Sequence, residues 1–129
     1  MIFDTDVLIW CLRGYREAAE FIASTPDRAV SIVSLMETLQ GARSKDEIRV
    51  IRRFFPTHDL QVIPVNESIS YLASNLIEEH TLSHGLQMAD ALIVATTRET
   101  GSALVTANVR HFRAITRLEL TAFRPSARG

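Results

Sequence analysis

Three acidic residues of this chain stand beside segments that are predicted to be strands or buried helices. Asp4 closes an apolar segment, Glu37 lies in the first turn after a β-branched segment, and Asp90 opens an apolar helix. Carboxylates that are brought together raise one another's pKa, and hard divalent cations such as Mg²⁺ or Mn²⁺ relieve this repulsion because they prefer oxygen ligands. Two such cations can activate a water molecule and stabilise the leaving oxygen of a phosphodiester. These residue types therefore indicate metal-dependent hydrolysis of a phosphate ester.

Short apolar segments alternate with helical segments along the chain. The predicted strands are residues 1–4, 29–33, 60–65, 103–106 and 118–122. This alternation predicts parallel pairing with right-handed crossovers, and so a three-layer α/β/α fold with a central, mostly parallel sheet of four to five strands. Pro64 predicts that the third strand lies at an edge. Ligands of such sheets bind outside the carboxyl ends of the strands, near a switch in strand order, which is where the acids are predicted to lie.

The helices between these strands have clear end signals. Asn66 is predicted to cap a long helix that ends at Gly85, and Pro56 is predicted to close an earlier one. Asn108 is predicted to cap a short helix after the fourth strand. The predicted helical segments are residues 7–12, 15–24, 34–41, 44–55, 66–84 and 88–100.

Local helix chemistry offers another interpretation of each acid. Ser34 and Glu37 have the spacing of a capping box, and Asp90 in a first helical turn complements the helix dipole. Asp4 or Asp6 could cap the helix that is predicted to begin at residue 7. The capping interpretations do not predict acids at several junctions along one edge of the sheet, and this coincidence favours a metal site.

Composition indicates one globular domain, residues 1–124, with residues 125–129 predicted to be a disordered tail. No apolar run approaches the roughly 20 residues that cross a bilayer, and the first residues lack the pattern of a secretory signal. The single cysteine, Cys11, is interpreted as a packing residue. A cytoplasmic protein is expected.

The charge is balanced, but the arginines are clustered. The formal net charge is −1, and Lys45 is the only lysine among 14 basic residues. Arginine binds phosphate well through its planar fork, although clustered arginines also occur on solvated helix faces, and the sequence leaves both interpretations open. The clusters are Arg43, Arg49, Arg52 and Arg53, and Arg110, Arg113 and Arg117.

Four segments together resemble PIN domains, and specifically the VapC toxins of bacterial toxin–antitoxin pairs. They are MIFDTDVLI, SIVSLMETLQGA, MADALIVATTRETGSALVTANVRHF and LEL, in this order and spacing, and they cover nearly the whole chain. The resemblance implies that Asp4, Glu37 and Asp90 are catalytic, metal-binding acids and that Thr106 supplies a hydroxyl near them. The fourth acidic position of the family falls at Asn108, which adds no negative charge.

The departure at Asn108 leaves open whether the site holds one ion or two. Asp6 could compensate if the chain stays extended after Asp4, because alternate strand residues share a face. If the helix has already begun at this point, Asp6 is a helix cap, and this second interpretation is favoured.

The resemblance also implies the activity and the partners. It implies a toxin that acts as an endoribonuclease on structured RNA with Mg²⁺, or with Mn²⁺. It implies a homodimer or a toxin–antitoxin hetero-oligomer, and inhibition by a small antitoxin that wraps the toxin. Apolar helix faces could serve these interfaces, although core packing is the default interpretation; these faces lie around Leu35, Met36 and Leu39, and around Leu72, Leu76 and Ile77.

Two alternatives remain. Asp4 and Asp6 match the two acids of the D-x-D-x-[TV] opening of haloacid-dehalogenase-like phosphatases, with Asp4 as nucleophile and Asp6 as general acid. That class also needs a downstream lysine and an acidic pair, which Lys45 and Asp90 do not match. The second alternative is a non-catalytic PIN-like binding module, which Asn108 keeps open.

The histidines add little to these alternatives. His80 and His84 are interpreted as structural, whereas His111 is predicted to approach an RNA phosphate.

Overall fold

A computed structural model describes residues 1–125 of the chain. Its five strands form one sheet in which every neighbouring pair is parallel, in the order β3-β2-β1-β4-β5. This confirms the predicted α/β fold with helices flanking a central sheet. The strands are β1 (Ile2–Phe3), β2 (Ala29–Ser31), β3 (Gln61–Ile63), β4 (Leu104–Thr106) and β5 (Leu120–Ala122). Apart from Pro125, the predicted tail lies outside the described residues.

Seven helices occur within residues 1–125, and most of them connect successive strands across the faces of the sheet. They are α1 (Thr5–Leu12), α2 (Arg16–Ser24), α3 (Ile32–Gln40), α4 (Lys45–Thr57), α5 (Glu67–His84), α6 (Met88–Glu99) and α7 (Val109–Phe112). None of these helices is long and apolar enough to cross a bilayer.

The strand order reverses between β1 and β4. From β1 the chain moves outward through β2 to β3, and then it returns to the other side of β1 to form β4 and β5. Ile2 pairs with Leu104 and Phe3 with Val105, so both strands end at the same level. The next residue after β1 is Asp4, and β4 ends at Thr106. Both therefore lie at the switch point where ligands of parallel sheets bind.

The two residues of β1 divide the core into two halves, because successive strand side chains point to opposite faces of a sheet. Ile2 packs in a cluster with Ile69 of α5 and Ile93 of α6. Phe3 packs in the other cluster with Leu8 of α1 and Phe54 of α4. Helices cover both faces, which is why both residues of the central strand β1 are apolar and buried.

Several helix ends differ from their predictions. Ser31 caps α3 through its hydroxyl, which accepts from the Val33 amide at 3.1 Å. Strand β2 is therefore shorter than predicted, and the helix begins before Ser34. Helix α4 continues one residue past Pro56, because a proline in the last turn removes only one hydrogen bond near the helix end. The cap at Asn66 and the left-handed stop at Gly85 (φ 62°) are confirmed.

The edge position predicted from Pro64 is confirmed, because β3 pairs only with β2 in the described sheet. Pro64 itself follows the strand, where its missing N–H costs no ladder hydrogen bond.

Two leucines of α5 give a matched test of this packing. Leu76 is 1% exposed and Leu82 is 98% exposed. We expect Leu76→Ala to lower the free energy of unfolding by about 2–5 kcal/mol, because it leaves a cavity, and Leu82→Ala to change it by less than about 0.5 kcal/mol. Urea denaturation followed by circular dichroism measures both values. Equal effects of the two substitutions would contradict the placement of α5.

Candidate active site

Asp4 is held at the end of β1 by two hydrogen bonds. It is buried and occupies the N-cap of α1, where its Oδ1 accepts from the Thr5 amide at 2.8 Å. Its Oδ2 accepts from the Thr106 hydroxyl of β4 at 2.8 Å. The start of α1 and the end of β4 therefore each hold one oxygen of this carboxylate.

Asp6 lies beside Asp4 and is not a helix cap, so the favoured prediction for it was wrong. Helix α1 begins at Thr5 and Asp4 caps it, which leaves Asp6 in the first turn. Its Oδ2 accepts from the Ala107 amide at 3.1 Å and lies 3.3 Å from Thr106 Oγ1. Its Oδ1 is buried and has no hydrogen-bond partner within residues 1–125.

Thr106 is the common contact of these two carboxylates. Its hydroxyl has one hydrogen, so it donates to only one of them at a time, and Asp4 is the nearer. The fold therefore places the Thr106 hydroxyl beside Asp4, as the resemblance implied. The same oxygen accepts from the Asn108 amide at 3.0 Å, which fixes the chain as it leaves β4.

Burial and mutual repulsion make the charged state of these acids unfavourable. Burial, followed by the Asp6 carboxylate, raises the pKa of Asp4 to about 7, against the lowering effect of its bonds from Thr106 and Thr5. Burial also raises the pKa of Asp6. The Asp90 carboxylate raises the pKa of both groups further, so all three acids share one electrostatic field.

Glu37 reaches this cluster through Thr5. The capping-box interpretation of Glu37 was wrong, because Ser31 caps α3 and Ser34 lies inside the helix. Instead, Thr5 Oγ1 donates to Glu37 Oε1 at 2.6 Å and lies 2.9 Å from Ser34 Oγ. The sequence analysis missed this role of Thr5 and Ser34. The available signal was that each small hydroxyl residue lies close to an acid: Thr5 directly follows Asp4, and Ser34 is three residues before Glu37.

Asp90 lies in the first turn of α6, and its side chain contacts a histidine. His111 Nε2 is 2.6 Å from Asp90 Oδ2, and both side chains are partly exposed. His111 was predicted to approach an RNA phosphate, whereas here it is paired with an acid of the cluster. The pairing brings α7 onto α6, a tertiary contact that the spacing of these residues along the chain does not reveal.

Asn108 occupies the predicted N-cap position of the short helix α7, but its side chain forms no capping hydrogen bond. Its amide contact with Thr106 is a backbone interaction that another residue type could also make. The side chain of Asn108 is therefore not used to cap α7.

The donor set suits a hard divalent cation, although no three Asp, Glu, His or Cys side chains within residues 1–125 already surround a common point. Carboxylate oxygens are the preferred ligands of such ions. The unpartnered Asp6 Oδ1 and the raised pKa of Asp4 are the features that a bound cation would relieve. The carboxylates of Glu37 and Asp90 are turned toward Thr5 and His111, respectively.

The raised pKa of Asp4 predicts how stability depends on pH without divalent cations. The folded-state pKa of about 7 lies above the ordinary value of 3.8, so the folded state binds this proton more tightly. The stabilising contribution of Asp4 is therefore complete below about pH 4 and is lost as the pH rises through 7. We expect the free energy of unfolding of Asp4→Asn, measured in urea with chelator, to fall less over this range than that of the native protein.

Glu78→Gln, an exposed change on α5, is the control and is expected to keep the native pH dependence. A parallel pH dependence for Asp4→Asn and the native protein would contradict the raised pKa.

Comparisons with known proteins agree with this geometry. The family model for the PIN domain matches residues 1–118. The chain is 32% identical over 116 residues to Ribonuclease VapC10 of Mycobacterium tuberculosis, which covers 87% of this chain and 85% of that protein. Among solved structures, a toxin–antitoxin complex from Klebsiella pneumoniae matches with a TM-score of 0.76 at 27% identity, and it covers 97% of both chains.

A second solved structure is similar in fold alone. VapBC2 from Rickettsia felis, bound to a DNA fragment from its promoter, matches with a TM-score of 0.77 at 22% identity over 95% of this chain and 99% of that chain. With buried acids at the switch point of a parallel sheet, and with a family model that covers nearly all of its length, this chain belongs to the PIN-domain family.

Proposed function

We propose that this protein is the toxin of a toxin–antitoxin pair and acts as a divalent-metal-dependent endoribonuclease. The observation that carries the proposal is the cluster of Asp4, Asp6 and Asp90, which share one electrostatic field at the switch point. The similarity to a protein named Ribonuclease VapC10 supports RNA as the substrate. The similarity to a toxin–antitoxin complex supports the pairing with an antitoxin.

The catalytic cation would be held by Asp4, Glu37 and Asp90, with Asp6 as a further carboxylate. We propose Mg²⁺, with Mn²⁺ as an alternative, because both take oxygen ligands. When bound, such a cation polarises the phosphodiester and lowers the pKa of water. Asp6 supports a site for two ions. Its carboxylate binds the Ala107 amide, next to Asn108, and so supplies a negative charge near the position where Asn108 has none.

The other residues orient these acids. Thr106 and the Thr5 amide fix the Asp4 carboxylate, and the Ala107 amide fixes Asp6. The Thr5 hydroxyl binds Glu37, and His111 binds Asp90. Oriented donors of this kind reduce the reorganisation that would otherwise accompany the reaction.

The phosphatase alternative loses its support from the fold. In that class Asp6 would act as a general acid toward substrate, but here its Oδ2 accepts from the Ala107 amide and the chain belongs to the PIN-domain family. The non-catalytic alternative depended on Asn108 alone. The nearby Asp6 supplies a carboxylate beside that position, which favours the enzyme.

The antitoxin is proposed to bind a cleft between α1, α3 and α4. This cleft has a volume of about 490 Å³, and Glu37 lies in its wall. Ile9 and Leu12 of α1 face Val50 of α4 across it, and Val50 is 59% exposed. An apolar segment of the antitoxin in this cleft would bury these side chains and would also obstruct Glu37.

A cytoplasmic location and a homodimer or toxin–antitoxin hetero-oligomer complete the proposal. Helices α5 and α6 expose Tyr71, Leu82 and Met88, which are apolar groups that an assembly could cover. Leu35 and Leu76 are buried in the core, so these two residues are not available for such an interface.

Neutral isosteres of the acids test the catalytic proposal. We expect Asp4→Asn, Glu37→Gln and Asp90→Asn each to slow Mg²⁺-dependent RNA cleavage about 100-fold or more, because each loses a negative ligand worth several kcal/mol of cation-supported catalysis. Cleavage of a labelled RNA, with the circular dichroism spectrum of each variant, measures activity and folding together.

Glu78→Gln removes one exposed negative charge on α5, outside the contacts of the cluster, and is expected to keep full activity. Cleavage that persists in chelator, or in all three active-site variants, would refute the metal assignment.

Two exposed apolar residues of α4 test the proposed antitoxin cleft. Val50 lines the cleft and Ile48 does not, although both are on the same helix. We expect Val50→Glu to weaken copurification with the small protein of the adjacent reading frame at least tenfold, because a buried unpaired charge costs more than about 1.4 kcal/mol. Ile48→Glu is expected to retain the partner, and both are expected to retain RNA cleavage. Loss of the partner with both substitutions, or with neither, would place its binding site elsewhere.

A further inference from the structure

We propose that a pocket formed by Arg110, Arg113 and Arg124 binds a backbone phosphate of the RNA strand beside the bond that is cut. The inference rests on the proposed function, because it assumes that RNA is the substrate of the acidic cluster. It assigns to three arginines a role in holding the substrate.

The pocket lies on the β4–β5 side of the switch point and has a volume of about 280 Å³. Ala107 and Asn108 form one wall, the α7 segment brings Arg110 and Arg113, and Arg124 follows β5. Helix α7 contacts β5, which brings arginines from two separated segments together. No carboxylate lines the pocket within residues 1–125.

None of the three guanidinium groups forms an ion pair within residues 1–125, although Arg124 also borders a neighbouring pocket lined by Glu17 and Glu20. The ion pairs of the described residues involve Arg28, Arg49, His80 and His111, and none involves an arginine of the pocket. All three pocket arginines are exposed. Three unpaired positive charges around one concave space create a field that attracts an anion, and the guanidinium fork fits phosphate oxygens in pairs.

The pocket and the acidic cluster share a wall. The Ala107 amide donates to Asp6, and the next amide, that of Asn108, donates to Thr106. The same two residues line the arginine pocket on their other side. One strand can therefore contact the acids and the pocket at the same time.

The electrostatics of the cluster favour such a contact. The whole chain has a formal net charge of −1, and the acids at the switch point repel a polyanion. A positive pocket next to them attracts the strand and fixes its register without reading its sequence. A carboxylate-rich protein segment would also be attracted, but under the proposed function RNA is the substrate of the adjacent acids, and this favours RNA as the occupant.

Paired substitutions of equal charge test the pocket. Arg110→Gln with Arg113→Gln is compared with Arg52→Gln with Arg53→Gln, which lie on α4 beside the opposite edge strand, β3. All four side chains are exposed, so neither pair should disturb the core. Binding of fluorescein-labelled oligouridylate is measured by anisotropy in chelator, at several salt concentrations.

We expect the pocket pair to reduce the magnitude of the slope of log affinity against log salt by roughly 0.7, since the pocket holds one phosphate and each phosphate contact on a single strand contributes about 0.7. The α4 pair is expected to leave the slope at its native value, and Arg124→Gln to reduce its magnitude by no more than about 0.7. Equal slopes for the pocket and α4 pairs would overturn the proposal.

Labelled oligoglutamate provides the second arm. If the pocket pair weakens binding of oligoglutamate but not of RNA, the pocket takes an acidic protein segment and the proposal is wrong. Because no cleavage occurs in chelator, a selective loss of RNA binding supports the pocket even if the protein proves not to cut RNA. Unaltered RNA binding overturns the pocket and leaves the nuclease assignment to its own assay.

Discussion

The hydrogen bond from the Thr106 hydroxyl to Asp4 joins two strands whose residues are 102 positions apart, and the site depends on it. It fixes a buried carboxylate where β1 and β4 end together. It cannot satisfy Asp6 as well, because one hydroxyl carries one hydrogen. The fold thus assembles acids whose charges are only partly compensated by the protein, which is the condition that favours an external cation.

Around this cluster the sheet edge carries surfaces of different chemistry. The apolar cleft between α1, α3 and α4 lies on the β2 side, and Glu37 belongs to both the cleft and the network of Thr5. The arginine pocket lies on the β5 side and shares Ala107 with Asp6. The two proposed partners, an apolar protein segment and an RNA strand, would therefore approach the acids from different sides of the switch point. Strand order alone produces this separation, because β1 and β4 are central and neighbouring.

The fold could be predicted from the sequence because local signals agree with the tertiary structure. The β-branched segments became parallel strands, Asn66 and Gly85 bound the long helix, and Pro64 marked the edge strand. The predicted position of Asp4 followed from the rule that parallel strands end at one edge, whereas the hydroxyl of Thr106 was expected from the resemblance to PIN domains. These features depend on neighbours in sequence or on a general rule of topology.

The errors arose where a side chain had two possible partners. Ser34 could cap a helix by spacing, but Ser31 begins the helix first and leaves Ser34 beside Thr5. Asp6 could cap α1, but Asp4 does so, and Asp6 turns to the Ala107 amide across the sheet. His111 contacts Asp90 only because α7 packs near α6. Such choices are decided by distant backbone groups, which a pattern within one helix cannot reveal.

The position of β1 also has a consequence for synthesis on the ribosome. This central strand receives one neighbour early, from β2, but its other neighbour, β4, is not made until residue 106. Until then Asp4 has no Thr106 and Asp6 has no Ala107 amide, so the acidic cluster cannot form in a nascent chain that has emerged only as far as α6. Contacts of such large sequence separation form late, because the entropy of closing the intervening chain must first be overcome. The acidic cluster is therefore absent until Thr106 and Ala107 have been made and have paired with Asp4 and Asp6.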